Sequence, residues 1–130
     1  MRKGTVLSLI SMVMILGGCD ENQDASALLV SDSISATSLE QRIMEMIGVP
    51  RCTDVSECAA IAFGSKSCGG PRTYLVYSRT VTDSEELRDA VEMYNKLEAE
   101  FNNEHGIVSD CEYVSAPGLA CTDGVCQAIR

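Results

Sequence analysis

Seven cysteines in 130 residues constrain this chain more than any other feature of its sequence. One of them, Cys19, follows a segment built like an export signal. Arg2 and Lys3 supply two cations, and Val6 to Leu16 supplies an apolar run of 11 residues. A membrane-spanning helix needs about 20 apolar residues, so this run is too short to stay as an ordinary anchor. The other six are Cys52, Cys58, Cys68, Cys111, Cys121 and Cys126, and an even number in an exported chain reads as a disulfide framework. Removing residues 1–18 leaves 112. A core of about 80 residues is marginal on its own, and each native bridge contributes about 2–4 kcal/mol by restricting the unfolded chain. Zinc is the rival use of such sulfurs. Five residues separate Cys52 from Cys58 and four separate Cys121 from Cys126, so neither is the C-x₂-C pair of a zinc or redox site. With His105 as the single histidine, a His-rich site is excluded, and neither metal nor cofactor is expected.

Leu16-Gly17-Gly18-Cys19 resembles the bacterial lipobox, in which a Leu, two small residues and a Cys end the signal. The resemblance implies residues 1–18 as a lipoprotein signal peptide, cleavage before Cys19, a diacylglyceryl thioether on its sulfur and an acyl group on the new N-terminus. Each buried CH₂ contributes about 0.8 kcal/mol, so two or more acyl chains anchor stably where one binds marginally. Asp20, the next residue, is associated with inner-membrane retention in enteric-type bacteria. The expected location is therefore the bacterial cell envelope, lipid-anchored to a membrane and facing the periplasm or exterior, with Asp20 favouring the inner membrane. The mature chain would carry 8 basic against 19 acidic side chains, a net charge of -11. That balance argues against a nucleic-acid partner and against adsorption to anionic headgroups. The lipid, not the protein surface, is expected to provide membrane contact.

Residues 19–38 hold the lipid-bearing cysteine and a polar tether, since Asp20 to Ser38 has five Ser and three Asp. Residues 39–130 form the domain. Ser38 and Gln41 have the spacing of a capping box, and Leu39, Ile43, Met46 and Ile47 share one helical face ahead of Gly48 and Pro50. A short helix at 39–47 follows. Residues 57–63 and 73–78 read as strands, the second apolar on both faces and so placed inside a sheet. Thr82 to Glu85 is a second capping box. It opens a helix over about 83–104 with Leu87, Ala90, Val91, Tyr94, Leu97 and Phe101 on its buried stripe and its acids mostly on the solvated face. Residues 111–115 read as a strand. Asp123-Gly124 signals a type I′ turn between strands 119–122 and 125–129. The fold class is α+β: a small disulfide-stapled antiparallel sheet of four or five strands, packed by one long helix, plus a short N-terminal helix.

Six cysteines allow 15 pairings. Three precede the long helix and three follow it, which favours bridges between the triplets. Cys121–Cys126, across the Asp-Gly turn, is the rival. The string Cys-x₅-Cys, Cys68-Gly69-Gly70-Pro71-x-x-Tyr74-Leu75-x-Tyr77-Ser78, a long helix, Ser109-Asp110-Cys111 and Cys-x₂-Gly-x-Cys is similar to a group of small cysteine-rich exported bacterial proteins, largely uncharacterised. The similarity covers residues 52–126 and implies a shared scaffold, with no activity to carry over.

No catalytic constellation is legible. His105 sits at a helix end, where a dipole-stabilised cation is the simplest reading, and a nucleophile such as Ser67 would depend on that one base. Loop 64–72 is the candidate binding element: three Gly and a Pro, Lys66 and Arg72 as cations, and Cys68 to pin it. Tyr74 and Tyr77 read as packing residues. The expectation is a non-enzymatic envelope lipoprotein that binds an unidentified envelope protein. The alternatives are a protease inhibitor presenting Lys66 from that loop, or a small hydrolase using Ser67 or His105.

Overall fold

The structure is a computed structural model describing residues 24–129, with side chains from residue 36. The export signal, Cys19 and Asp20 lie outside the described residues. The elements are α1 (Asp24–Ile47), a 3₁₀ turn (Val55–Glu57), β1 (Cys58–Phe63), β2 (Thr73–Ser78), α2 (Ser84–Glu104), β3 (Gly118–Thr122) and β4 (Val125–Ile129).

The four strands form two separate antiparallel hairpins, β1–β2 and β3–β4, rather than one sheet of four or five strands. The reason is visible in β1–β2, where alternate residues leave opposite faces. Ala59, Ile61 and Phe63 on β1 share a face with Leu75 and Tyr77 on β2, and this face joins Ile43, Ile47, Leu87, Val91 and Tyr94 in the main core. The opposite face presents Cys58 and Val76, which pack with Cys52, Cys121, Cys126 and Leu119. Helices therefore cover one side of the hairpin and β3–β4 the other. The two-sided apolarity of Thr73–Ser78 comes from this sandwiching, so its expected interior place in a wider sheet is corrected: β2 has β1 as its sole strand neighbour among the described residues.

The helix 39–47 is the last part of a longer element. α1 begins at Asp24, so residues 24–38 are helical where a tether was expected. No Gly or Pro interrupts 20–38, and nothing there stops a helix once residues 39–47 dock. Ile43 and Ile47 are buried and Leu39 and Met46 half-buried, so that stripe is core.

α2 starts one residue later than the box at Thr82 implies. Asp83 is its N-cap, and one carboxylate oxygen accepts from the backbone N–H of Glu85 (2.9 Å) and Glu86 (3.0 Å). Thr82 is buried beneath the cap. Phe63 at the end of β1 stacks on Tyr94 of α2 with ring centroids 4.4 Å apart. Phe101, expected on the buried stripe, is exposed and stacks instead on His105.

The expected strand at 111–115 is absent. Residues 107–117 run without helix, strand, turn or bend, and Cys111 has φ 54°, a left-handed conformation that a strand does not accommodate. In the second hairpin Asp123 (φ 53°) and Gly124 (φ 74°) both adopt the positive φ that a type I′ turn requires.

Candidate functional site

Three bridges join the cysteines: Cys52–Cys121, Cys58–Cys126 and Cys68–Cys111, with Cα–Cα distances of 6.0, 5.5 and 5.4 Å. Each links a cysteine before α2 to one after it. Cys121 and Cys126 face each other across β3–β4, yet each is bonded to the first triplet instead. Cys58–Cys126 fastens the two hairpins face to face, and Cys52–Cys121 ties the segment before β1 to β3. The sulfurs of Cys52, Cys58 and Cys126 lie within 4.8 Å of one another. All three are engaged in bridges, so none offers the thiolate that a soft metal ion requires.

The third bridge does something different. It ties loop 64–72 to the irregular segment 106–117 at the end of the molecule where α2 stops. Loop 64–72 is itself moored along α2. The Asn95 side chain accepts from the Gly64 N–H at 2.7 Å, the Glu98 carboxylate accepts from the Ser65 N–H at 2.6 Å, and the Asn102 amide donates to the Ser65 carbonyl at 2.7 Å. Residues 95, 98 and 102 fall on one helical face. Glu98, read from the sequence as a solvated acid, is largely buried and pairs with Arg72 Nε at 3.1 Å. Arg72 also donates to the Tyr94 hydroxyl, which in turn donates to Glu40 of α1. Burial, and then the Glu98 and Glu40 carboxylates, push the Tyr94 phenol above its ordinary pKa.

Gly64 is required here. Its φ is +78°, and a Cβ would stand 2.7 Å from Arg72 Nε and 2.8 Å from the Glu98 carboxylate.

Lys66 closes the arrangement. Its ammonium reaches across to segment 106–117, donating to the Asp110 carboxylate at 2.7 Å and to the Glu112 carbonyl at 2.8 Å. The Lys66 side chain is only 11% exposed. Its ammonium, with the Glu112 N–H and the Ser109 hydroxyl, holds the Asp110 carboxyl below the usual range. Both cations singled out in loop 64–72 are thus spent within the molecule, and the loop is a clamp.

What the clamp holds up is the surface that sequence reading missed. Tyr113 is 86% exposed and Val108 90% exposed, with Ile107 and Phe101 also open to solvent. Residues 111–115 read as a strand from their sequence, which concealed a loop. The positive φ at Cys111 and the cation from loop 64–72 are tertiary facts with no local signal. Tyr74 is half-buried and Tyr77 buried in the core, as packing residues.

His105 caps α2, its Nδ1 2.9 Å from the Phe101 carbonyl, and among the described residues no hydrogen bond connects it to Ser67. Among the described residues, no helix is long and apolar enough to cross a membrane. Comparison with known proteins finds no matching family model, curated protein or solved structure.

Proposed function

We propose that this protein is a bacterial envelope lipoprotein, held by lipid on Cys19, whose globule binds another envelope protein without catalysing a reaction. One observation carries the binding reading: Ile107, Val108 and Tyr113 are exposed on a segment tied down by Cys68–Cys111 and by Lys66. A segment ordered before contact loses little conformational freedom on binding, and a rigid exposed tyrosine is a common energetic anchor of interfaces. The export signal, the lipobox and three bridges agree with an oxidising compartment outside the cytoplasm. The net negative charge opposes anionic headgroups and favours a cationic rim on the partner.

Two measurements test this. Protein isolated from its host membranes should carry the mass of acyl chains, and Cys19→Ala should abolish it. A photo-crosslinking amino acid at Val108 or Tyr113 in intact cells should give one discrete adduct, with none from the same label at Met93 on the outer face of α2. Equal labelling at all three sites, or adducts at none, would reject the binding face.

A further inference from the structure

We infer that residues 111–115 form a protease-inhibiting segment, with Tyr113 as the side chain that enters the primary pocket of a serine protease cleaving after aromatic residues. This rests on the protein-binding reading and names the chemistry of the partner. Such a protease takes one projecting side chain into a hydrophobic slot beside the bond it attacks. An extended peptide can meanwhile pair with an exposed strand edge through its backbone. The segment presents an exposed aromatic side chain on backbone free of regular secondary structure. Tyr113 projects almost fully into solvent. Residues 112–117 run without helix, strand, turn or bend. The Glu112 N–H and carbonyl are held by Asp110 and Lys66, and among the described residues no backbone–backbone hydrogen bond engages residues 113–117.

The bond between Tyr113 and Val114 is held on both sides. Before it, Cys111 is bridged to Cys68, and Lys66 grips both the Asp110 carboxylate and the Glu112 carbonyl. After it, β3 begins at Gly118 and Cys121 is bridged to Cys52. A bound enzyme therefore meets a segment that has little freedom left to lose. Severed ends at this bond would also stay attached to one body through Cys52–Cys121 and Cys58–Cys126, so neither half could leave the cleft as a free product.

The geometry also fixes the specificity. Lys66, the residue suited to a trypsin-like pocket, is largely covered and ion-paired, whereas the exposed side chain is aromatic. A lipid surface is disfavoured because Glu104, Asp110 and Glu112 lie beside the apolar residues, and carboxylates are repelled by anionic headgroups.

The test uses the full chain in a nonionic detergent, with chymotrypsin and trypsin assayed on small chromogenic substrates. Wild type should inhibit chymotrypsin competitively at micromolar concentration or below and leave trypsin unaffected. Tyr113→Ala should weaken inhibition about 30-fold or more, and Tyr113→Arg should transfer inhibition to trypsin. An unchanged Tm in each variant establishes that the exposed substitution leaves the fold intact. The chain has no Trp, so Tyr113→Trp supplies a unique fluorophore whose emission should shift to the blue when chymotrypsin is added. Absence of inhibition by wild type, inhibition indifferent to Tyr113→Ala, or rapid cutting with full enzyme activity would overturn the proposal. So would a blue shift on phosphatidylcholine vesicles with none on chymotrypsin. Failure here with a discrete crosslink at Tyr113 in cells rejects the protease and keeps the binding face. Loss of both results rejects both.

Discussion

Gly64 shows how one missing Cβ organises a site. The two N–H groups at 64 and 65 can approach Asn95 and Glu98 because Gly64 has no Cβ to enter the space that Arg72 and Glu98 fill. Gly64→Ala should destabilise the protein by about 2 kcal/mol or more, from the left-handed conformation and the displaced ion pair together. A urea midpoint that does not move would contradict this. The start of α2 gives a paired contrast. Thr82 is buried, and its hydroxyl finds no hydrogen-bond partner among the described residues. Thr82→Val keeps the shape and should leave Tm unchanged or raise it. Asp83→Ala removes the acceptor for two backbone N–H groups and should lower Tm by roughly 4 °C or more. If the two substitutions behave alike in a thermal scan, the capping assignment is wrong.

At the scale of elements, loop 64–72 behaves as an extension of α2. In Glu98→Ala the Ser65 amide loses its acceptor, so its hydrogen exchange should accelerate by an order of magnitude or more while amides in β1 keep their protection. Equal acceleration in both would mean global loosening instead. The same element explains what could be read from the amino acids alone. The apolar stripe from Leu87 through Tyr94, the strand 73–78 and the Asp123-Gly124 turn were legible because their signals are local: periodicity, β-branched and aromatic content, and positive φ at a polar-Gly pair. Inter-triplet bridging was legible from the position of α2 between the cysteines. The remainder depended on partners distant in sequence. Nothing near Glu98 announces Arg72 and Ser65 as its ligands, and nothing near Tyr113 announces Lys66 as the group that lifts it into solvent. The division of four strands into two hairpins likewise rests on which layer covers each face of β1–β2, and strand patterns alone do not encode that.

At the scale of the molecule, a helix layer, a hairpin and a second hairpin are held by few large buried side chains. Phe63, Ile43, Leu87 and Val91 carry the apolar core, and the contact between hairpins rests on Cys58–Cys126 with Cys52, Cys121, Val76 and Leu119 packed around it. Replacing Cys58 and Cys126 together by Ala should cost about 3 kcal/mol, because with Cys52–Cys121 intact the loop this bridge closes runs only through 52–58 and 121–126. A loss under 1 kcal/mol in urea would show that the hairpins adhere without the bond. Acid should act on the outer shell. The carboxyls of Asp54, Glu57, Asp83 and Asp110 all lie below their ordinary range, each held first by a donor: Ser56, the Thr53 N–H, the Glu86 N–H and Lys66 respectively. Because folding lowers these values, their stabilisation is complete above the unfolded carboxylate range and is lost as pH falls through the folded one. The urea midpoint should be level above about pH 5 and decline steadily below about pH 4. A midpoint unchanged down to pH 2 would refute the linkage.

The continuity of α1 bears on how the globule is carried. As helix, the 15 residues from Asp24 to Ser38 advance about 22 Å, where fully stretched chain would span about 50 Å. For a globule moored at Cys19, that stretch is a mast and not a leash. On the proposed mooring at Cys19, the helical residues would hold the globule, and with it Tyr113, nearer the bilayer than the same residues could as stretched chain.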